Sequence, residues 1–515
     1  MRPWVSPARV DSTKRSLWAS IRSVFRLPAG LWLRLTPSQR KGHLFLVVCV
    51  LYLATNPRAA PGLTRVGDVV PTMLLPVSII RERDFDLDEF LSHPVAREQH
   101  WGEAYFTVRI GDRHFSRYPV FTAILVTPLY LLPTLLGLNA QSGVAAYALL
   151  GKTSAAILAA SSVVLVYLSL RLISSELTAV CLSLVYAFAS STWTISGQAL
   201  WQHAASQLFL AAAIYVLLKT PNARKSAFLG GLFLGVAVAA RQTNGVIALI
   251  LLLYLLHRLP RRVPYFLGGA LIPLALLLGY NYTTFGCPWC TGYAVEAQAG
   301  WSTPLPLGLL GILLSPSKGL LVYSPVFLFS FVGIVASWRA PIGGEDRTWF
   351  FRYLGFAAVG FVLLMSKWHA WHGGWSFGPR MLVDATPLLV CLMIPALHWM
   401  KYDRRLVATL AGLAILSVGV QLVGLSMFDF AWYHQMKAID YEEAGFWLVR
   451  NSELPFYVGH FGLAGFLGRI LAQGLVSVGL AILVSAGLFW LLRRRGLLAQ
   501  HSVAENAPAK RVPEI

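Results

Sequence analysis

Apolar tracts close to twenty residues long alternate with short polar connections along most of the chain. About twenty apolar residues is the length that an α-helix needs to cross a bilayer, whereas a membrane β-barrel would show short alternating segments. The pattern predicts an all-α, polytopic helical membrane protein with about 12 (11–13) transmembrane helices. The predicted spans lie near residues 43–56, 143–170, 176–196, 203–218, 226–241, 245–258, 264–284, 319–338, 349–366, 381–400, 404–426 and 466–492.

The charge of the connecting loops predicts the orientation. Short clusters of Lys and Arg fall on one side of the spans, as is typical of cytoplasmic loops. These clusters are Arg171; Lys219, Arg224 and Lys225; Arg258, Arg261 and Arg262; Arg339 and Arg347; Lys401, Arg404 and Arg405; and Arg493 to Arg495. Both chain ends are then cytoplasmic. The net charge of +20 is explained by this pattern, so no nucleic-acid partner is expected.

One apolar tract, Val120 to Leu138, conflicts with this orientation. As a span it would place every later basic cluster outside, and it contains Pro128 and Pro133. We therefore predict a juxtamembrane or re-entrant helix on the outer face. The alternative is a thirteenth span that breaks the charge rule locally.

Polar segments flank the membrane domain. Residues 1–42 alternate apolar and basic side chains, which predicts a cytoplasmic amphipathic arm on the inner leaflet, with a disordered basic arm as the alternative. The transmembrane domain fills residues 43–492. Residues 493–515 are predicted to form a disordered cytoplasmic tail.

The first outer loop, residues 57–142, collects carboxylates. Nine of the 23 acidic residues lie between Pro57 and Tyr118. Asp68 follows Gly67 near the membrane, where a carboxylate can accept the proton of a hydroxyl. The alternative for Asp68 is a helix N-cap. The acidic run from Asp84 to Glu89 lacks the glycine and final glutamate of an EF-hand and is predicted to be a solvated turn.

Short motifs stand in order through the predicted outer loops. They are Gly67-Asp68, Phe85-Asp-Leu-Asp88, Phe115-Ser-Arg-Tyr-Pro119, Leu200-Trp-Gln-His203, Arg241-Gln-Thr-Asn244, Tyr280-Asn-Tyr-Thr-Thr-Phe-Gly286, the segment Ser315 to Pro325, and Gly373-Gly-Trp-Ser-Phe-Gly-Pro-Arg380. Over residues 45–400 the chain resembles GT-C glycosyltransferases, which include bacterial relatives of protein O-mannosyltransferases and of the lipid A aminoarabinose transferase.

The resemblance implies an integral-membrane transferase with a polyprenyl-phosphate sugar donor and a catalytic aspartate in the first outer loop, here Asp68. The family often has a second acid directly after it, where this chain has Val69, so Glu103 or Asp112 is left to supply another carboxylate. Arg117 stands where relatives have lysine, and arginine suits a phosphate as a bidentate donor.

Four cations are candidates for the donor phosphate: Arg117, Arg241, Lys318 and Arg380. Each except Arg117 has a structural alternative. Arg380 could pair with Asp384 along one helix face, Arg241 could snorkel at a span end, and Lys318 could anchor the chain at the interface.

Further residues are candidates for contacting the substrates, and the alternatives for them are an aromatic belt at the interface and structural histidines. They are Glu103, Tyr118, His203, His369, His372 and Trp375. His369 and His372 have no third ligand near them, so no metal site is assigned, and a divalent cation stays open as a cofactor. Cys287 and Cys290 are expected to form a local disulfide rather than a redox pair.

These observations predict a glycosyltransferase in the bacterial inner membrane, with its active site facing the periplasm. It would move a sugar from a polyprenyl-phosphate donor to a hydroxyl on a lipid, glycan or protein acceptor. One alternative is a flippase or transporter of lipid-linked glycans, which would place ionisable groups at mid-membrane. Another is an envelope polysaccharide ligase, whose key loop would come late in the chain.

Overall fold

The computed structural model describes residues 32, 34–55, 67–94, 106–294, 299–436 and 443–494. Within these ranges the chain is almost entirely helical, which confirms the predicted all-α class apart from one β-hairpin. Glu103, most of the N-terminal arm and most of the C-terminal tail lie outside the described residues.

The elements follow one another as eighteen helices and two strands in the described chain. The first part contains α1 (Pro37–Ala54), α2 (Val70–Arg81), β1 (Thr107–Ile110), β2 (Arg113–Ser116), α3 (Phe121–Leu135), α4 (Val144–Arg171), α5 (Glu176–Phe188), α6 (Gln202–Lys219), α7 (Arg224–Ala240), α8 (Gly245–Arg258) and α9 (Val263–Phe285). The second part contains α10 (Leu305–Leu314), α11 (Leu320–Tyr323), α12 (Leu328–Arg339), α13 (Glu345–Lys367), α14 (Thr386–Trp399), α15 (Arg404–Met427), α16 (Ala431–Gln435), α17 (Glu443–Trp447) and α18 (Glu453–Arg494).

Six helices of the described chain are long and apolar enough to cross a membrane, so the protein is a multi-pass integral membrane protein. They are Val144–Arg171, Pro260–Phe285, Glu345–Lys367, Arg380–Trp399, Arg404–Met427 and Glu453–Arg494. In the last of these only 6% of the most apolar window is buried, although an apolar surface of that size is costly in water. These side chains are suited to face lipid. The total number of spans stays a prediction.

Three predicted spans have different boundaries. The span at 319–338 is interrupted, because α11 ends at Tyr323 and Pro325 opens a separate 3₁₀ turn before α12. The span at 176–196 ends as an α-helix at Phe188. The span at 466–492 belongs to the longer α18, which breaks at Gly462, where φ is 66°.

Helices α7 and α9 cross at very short range because glycines face each other. A Cβ at Gly231 would lie 1.9 Å from the carbonyl oxygen of Phe266, and one at Gly269 would lie 2.0 Å from that of Phe228. Small residues that allow backbones to touch are the usual packing device between membrane helices.

The acidic run of the first loop binds the β-hairpin, so the prediction of a solvated turn was wrong. Arg113 Nη1 donates to Asp86 Oδ2 at 3.0 Å, and His114 Nδ1 contacts Asp88 Oδ1 at 2.8 Å. These charge pairs join the run to strand β2, whose partner β1 lies antiparallel to it. Asp112 is fully exposed at the hairpin tip and pairs with Arg109, so it supplies no second carboxylate beside Asp68.

Helix α3 covers most of the apolar tract that conflicted with the charge pattern. Its 15 residues rise only about 22 Å, which is short for a bilayer core of about 30 Å. It packs against α2, and Arg81 of α2 donates to the carbonyl oxygens of Leu138 and Thr134 at 2.8 and 3.1 Å. This geometry suits the juxtamembrane helix that we predicted.

Four of the six predicted basic loops are connected to one another by contacts. Arg258 pairs with Glu345 at 2.6 Å, and Arg347 Nη1 donates to the carbonyl oxygen of Leu172 at 3.3 Å. The guanidinium of Arg339 lies 5.7 Å from the Trp399 ring centroid. The loops therefore share a side, as the charge pattern indicates, and their cytoplasmic location stays a prediction.

The chain divides into two compact units. The smaller unit, residues 1–47 and 482–515, contains a contact between His43 Nε2 and Ser485 Oγ at 2.9 Å. The larger unit, residues 48–481, contains every candidate site residue that the structure describes.

Candidate active site

Asp68 and Arg380 form an ion pair although 312 residues separate them. Arg380 Nη1 donates to Asp68 Oδ2 at 2.6 Å, and the side chains remain 21% (Asp68) and 14% (Arg380) exposed. The guanidinium of Arg380 also lies 4.5 Å from the ring centroid of Trp201. The predicted base and one predicted phosphate ligand are thus brought into direct contact.

The environment of Asp68 shows that the N-cap alternative was wrong. Helix α2 begins at Val70, its N-cap position is Val69, and no side chain caps it. From helix α2, Asp68 accepts a side-chain hydrogen bond only at its main-chain oxygen, from Thr72 Oγ1 at 3.2 Å. Its carboxylate instead points to Arg380, and among the described residues Oδ1 has no hydrogen-bond partner.

The loop that carries Arg380 is fixed by a glycine. Gly378 has a φ of 67°, a region that favours glycine, and a Cβ there would lie 2.5 Å from the Tyr323 ring. Its amide also donates to Glu453 Oε2 at 3.3 Å. The backbone therefore enters the 3₁₀ helix Arg380–Ala385 in a defined direction.

Arg117 and Tyr118 belong to the same neighbourhood. The rings of Tyr118 and Tyr293 meet edge to face with centroids 5.4 Å apart, and both residues interact electrostatically with Arg380. The backbone of Gly292 lies so close that a Cβ there would be 2.5 Å from Arg117 Cα. A disulfide joins Cys287 and Cys290 five residues earlier in this loop, as predicted.

Asp384, His203 and Arg241 form a second, buried charge cluster. Arg241 Nη1 pairs with Asp384 Oδ2, and His203 Nδ1 lies 3.1 Å from Asp384 Oδ1. The predicted Arg380–Asp384 pair was wrong, because a 3₁₀ helix has three residues per turn and i,i+4 side chains do not share a face. Arg241 does not snorkel, since its charge is matched inside the protein.

Lys318 belongs to a third charge cluster, and its burial contradicts both the phosphate role and the interface anchor. Its side chain is 1% exposed and lies 3.6 Å from Glu453, which is 0% exposed. Lys318 Nζ donates to the carbonyl oxygen of Ser376 at 2.5 Å and contacts Tyr433 Oη at 2.6 Å. Burial lowers the pKa of Lys318 to about 8. Lys318 and Glu453 therefore support the loop behind Arg380.

His369 and His372 border a cleft of about 330 Å³ next to that loop. Its lining residues are Ser302, Thr303, Pro304, Leu307, His369, Trp371, His372, Phe446 and Trp447. His372 stacks on Phe446 with centroids 4.8 Å apart, and burial lowers the pKa of His372 to about 3, so this imidazole is neutral. Its Nδ1 accepts from the Gly374 amide at 3.1 Å, which connects the cleft to the Arg380 loop.

Trp375 does not border this cleft. Its ring stacks on Tyr433 with an interplanar angle of 11° and a centroid distance of 5.2 Å. Of the three aromatic candidates in this loop, only the two histidines thus share one surface.

No protein-family model matches the chain, and no curated protein sequence matches it. Similar solved structures include ArnT from Cupriavidus metallidurans bound to undecaprenyl phosphate, at 15% identity and a TM-score of 0.48, covering 90% of this chain and 74% of that one. The apo oligosaccharyltransferase of Archaeoglobus fulgidus is similar at 12% identity and a TM-score of 0.38, with coverages of 87% and 56%.

AglB from Archaeoglobus fulgidus, in complex with an inhibitory peptide and a dolichol-phosphate, is similar at 13% identity and a TM-score of 0.38. Coverage is 88% of this chain and 56% of AglB, so the chain spans just over half of the two archaeal structures. Identities and TM-scores this low assign neither activity nor substrate to this chain.

No group of three or more His, Cys, Asp or Glu side chains that could hold a metal ion is found among the described residues. One oxygen of the Asp68 carboxylate, Oδ2, is occupied by the contact with Arg380. Its free oxygen Oδ1 is the position from which a bound ion or a substrate hydroxyl would be contacted.

Sequence reasoning named Asp384 only as an alternative partner of Arg380, and it missed Glu453 and Tyr433. Two signals in the sequence could have found the acids: Asp384 lies inside an apolar span, and Glu453 directly precedes one. A carboxylate in either position needs a buried cation, since an unpaired charge in an apolar interior is very costly. Tyr433 lies in the short helix α16 and gave no comparable signal.

Proposed function

We propose that the chain is a membrane glycosyltransferase that moves a sugar from a polyprenyl-phosphate donor to a hydroxyl acceptor. The observation that carries the proposal is the contact between Asp68 and Arg380. A carboxylate that can take a proton stands beside a cation that can hold a phosphate, and both remain partly exposed. This is the pair of charges that such a transfer requires.

The reaction can be written with these two residues. Asp68 Oδ1 accepts the proton of the acceptor hydroxyl, and the hydroxyl oxygen forms a bond to the anomeric carbon of the donor sugar. The bond between that carbon and the phosphate oxygen breaks, and polyprenyl phosphate leaves with the electron pair. Arg380 stabilises the negative charge that develops on the leaving phosphate.

Arg380 has donors available for this role. An arginine offers five N–H groups, and the contact with Asp68 uses one of them. Among the described residues Arg380 Nε is buried without a hydrogen-bond partner. A buried donor without an acceptor is unfavourable, and a phosphate oxygen would satisfy it.

Arg117 and Tyr118 are proposed to complete the donor site, since Tyr118 and Tyr293 lie within electrostatic range of Arg380. Arg241 and His203 are proposed to act indirectly, through their buried contacts with Asp384. His369 and His372 are proposed to contact the acceptor in the adjacent cleft, whose aromatic and polar walls suit a sugar. Divalent-cation dependence stays open, and the predicted periplasmic orientation is kept as part of the proposal.

The Asp384 cluster is the one observation that favours a transporter, because transporters carry buried ionisable groups. Asp384 is, however, only four residues from Arg380, about 8 Å along a 3₁₀ helix. It therefore lies near the same end of the helix as the Asp68 site. A ligase would share the Asp68–Arg380 site, and its acceptor would be a long glycan.

Asp68→Asn tests the proposal. In a deletion strain, mass spectrometry of envelope glycolipids and glycans should show that one sugar is missing, and the wild-type gene should restore it. Asp68→Asn should leave the sugar absent, because the amide cannot accept a proton and loss of a general base lowers the rate about 10²- to 10⁴-fold. Asp112→Asn is the matched control, since that carboxylate is 100% exposed in the same loop.

Three outcomes would contradict parts of the proposed glycosyltransferase function. If well-expressed Asp68→Asn restores the sugar, Asp68 is not the base. If no sugar changes while a lipid-linked precursor accumulates, a flippase is indicated. If the loss concerns a long glycan as a whole, the ligase alternative is indicated.

A further inference from the structure

A cation–aromatic cluster on the face of the basic loops takes no part in the reaction proposed above. Its centre is Arg352 of α13, about 10 Å along the axis from the first residue of that helix. The guanidinium lies against two indole rings, 4.7 Å from the centroid of Trp338 and 4.5 Å from that of Trp349, and these rings meet edge to face with centroids 6.0 Å apart. These three residues are named the Arg352 cluster below.

Arg352 has no carboxylate partner among the described residues, whereas the neighbouring Arg258 has one. Arg258, whose guanidinium also lies over Trp349 at 5.7 Å, pairs with Glu345 at 2.6 Å. In the described part of the chain no carboxylate pairs with Arg352, which donates Nε to the carbonyl oxygen of Ser337 at 3.2 Å. The Arg352 residue is half-buried, and no hydrogen bond from its other guanidinium nitrogens is found among the described residues.

The surface around the cluster is apolar and exposed. Trp338 and Phe356 are 47% and 48% exposed, and Val335 and Val359 follow on the same two helices at 50% and 39%. Tryptophans at the ends of membrane helices mark the level of the lipid headgroups. A phosphate that reaches Arg352 can therefore have acyl chains that continue along α12 and α13.

We propose that the Arg352 cluster binds the phosphate group of an anionic phospholipid. The unmatched charge of Arg352 selects a ligand with net negative charge, and its planar donors suit phosphate oxygens. The two indoles cannot serve as a cage for a choline headgroup, because they meet edge to face and the guanidinium of Arg352 already lies against both rings. The basic residue Arg339 nearby, over Trp399, raises the local positive potential further.

Lipid binding to the purified full-length protein in detergent tests the proposal. Phosphatidylglycerol should raise the midpoint of thermal unfolding more than phosphatidylcholine does, and native mass spectrometry should show retained phosphatidylglycerol. Arg352→Gln should weaken phosphatidylglycerol binding about tenfold, the loss of one charge-assisted contact. Arg352→Lys should retain part of the binding, because the charge remains and the planar stacking is lost.

Arg405→Gln is the matched control, since it removes the same charge from an exposed residue of the basic loops. It should bind phosphatidylglycerol as the wild type does, and unfolding in phosphatidylcholine checks that each variant is folded. The proposal is overturned if Arg352→Gln and the wild type bind phosphatidylglycerol equally. It is also overturned if sodium phosphate alone reproduces the stabilisation, since the site would then bind soluble phosphate.

Discussion

Arg380 contacts a carboxylate on one side and an indole on the other, and both contacts depend on the shape of the guanidinium. Nη1 donates to Asp68 at 2.6 Å, and the guanidinium carbon lies 4.5 Å from the ring centroid of Trp201. A lysine keeps the positive charge but offers a single nitrogen and stacks less well on an aromatic face. The residue type at this position is therefore set by geometry as well as by charge.

Arg380→Lys should lower kcat/KM for the polyprenyl-phosphate donor roughly 10- to 100-fold, which corresponds to about 1.4–2.8 kcal/mol. The rate at which purified protein releases polyprenyl phosphate from its sugar-linked form measures this. Arg109→Lys is the control, because Arg109 is 65% exposed at the hairpin tip and should not affect the rate. Equal rates for Arg380→Lys and wild type would remove Arg380 from the donor site.

At the scale of elements, the loop before Arg380 is held by two charged side chains, one from an earlier connection between helices and one from a later helix. Lys318 lies between α10 and α11, and Glu453 is the first residue of α18. Lys318 binds the carbonyl oxygen of Ser376, and Glu453 accepts from the Gly378 amide. The buried ion pair thus connects α18 to the loop that presents Arg380.

Glu453→Gln should lower the free energy of unfolding by roughly 3–5 kcal/mol, because it leaves the charge of Lys318 buried without its partner. The double variant Lys318→Met, Glu453→Gln should recover part of that loss. Glu345→Gln is the control, since Glu345 is 72% exposed and surface ion pairs contribute about 0–1 kcal/mol. Thermal unfolding in detergent compares them, and equal midpoints for Glu453→Gln and Glu345→Gln would contradict the expectation.

The length of the apolar tracts predicted the helical class, and the order of the motifs singled out Asp68 and Arg380, which the structure brings into contact. The juxtamembrane location of α3 stays a prediction. The sequence did not predict which charged side chains pair with one another. Arg241 pairs with Asp384 and Lys318 with Glu453, which follows from how helices pack and not from spacing. The sequence also did not predict the 3₁₀ helix Arg380–Ala385, in which Asp384 and Arg380 do not share a face.

At the scale of the whole molecule, loops predicted to be cytoplasmic contact one another, and the candidate active-site residues form a separate group of contacts. Arg258, Glu345, Arg347 and Leu172 belong to the first group. Asp68 and Arg380 belong to the second. If the charge rule holds, the first group faces the cytoplasm and the second faces outward.

Cysteine labelling tests this orientation in a chain whose free cysteines Cys49, Cys181 and Cys391 are replaced. A membrane-impermeant maleimide should label Asp112→Cys at the hairpin tip in intact spheroplasts. It should label Lys401→Cys, in an exposed basic loop, only after permeabilisation. The reverse pattern would invert the topology and place the proposed site on the cytoplasmic side.

The separation of 312 positions between Asp68 and Arg380 also has a consequence while the ribosome synthesises the chain. At about 5–20 residues per second, a ribosome needs roughly 15–60 s to travel from one to the other. During that interval the first loop has left the ribosome with its carboxylate unmatched. The pair forms only after the 3₁₀ segment that begins at Arg380 has been made, so a chain that stops before this point has inserted helices and no reaction centre.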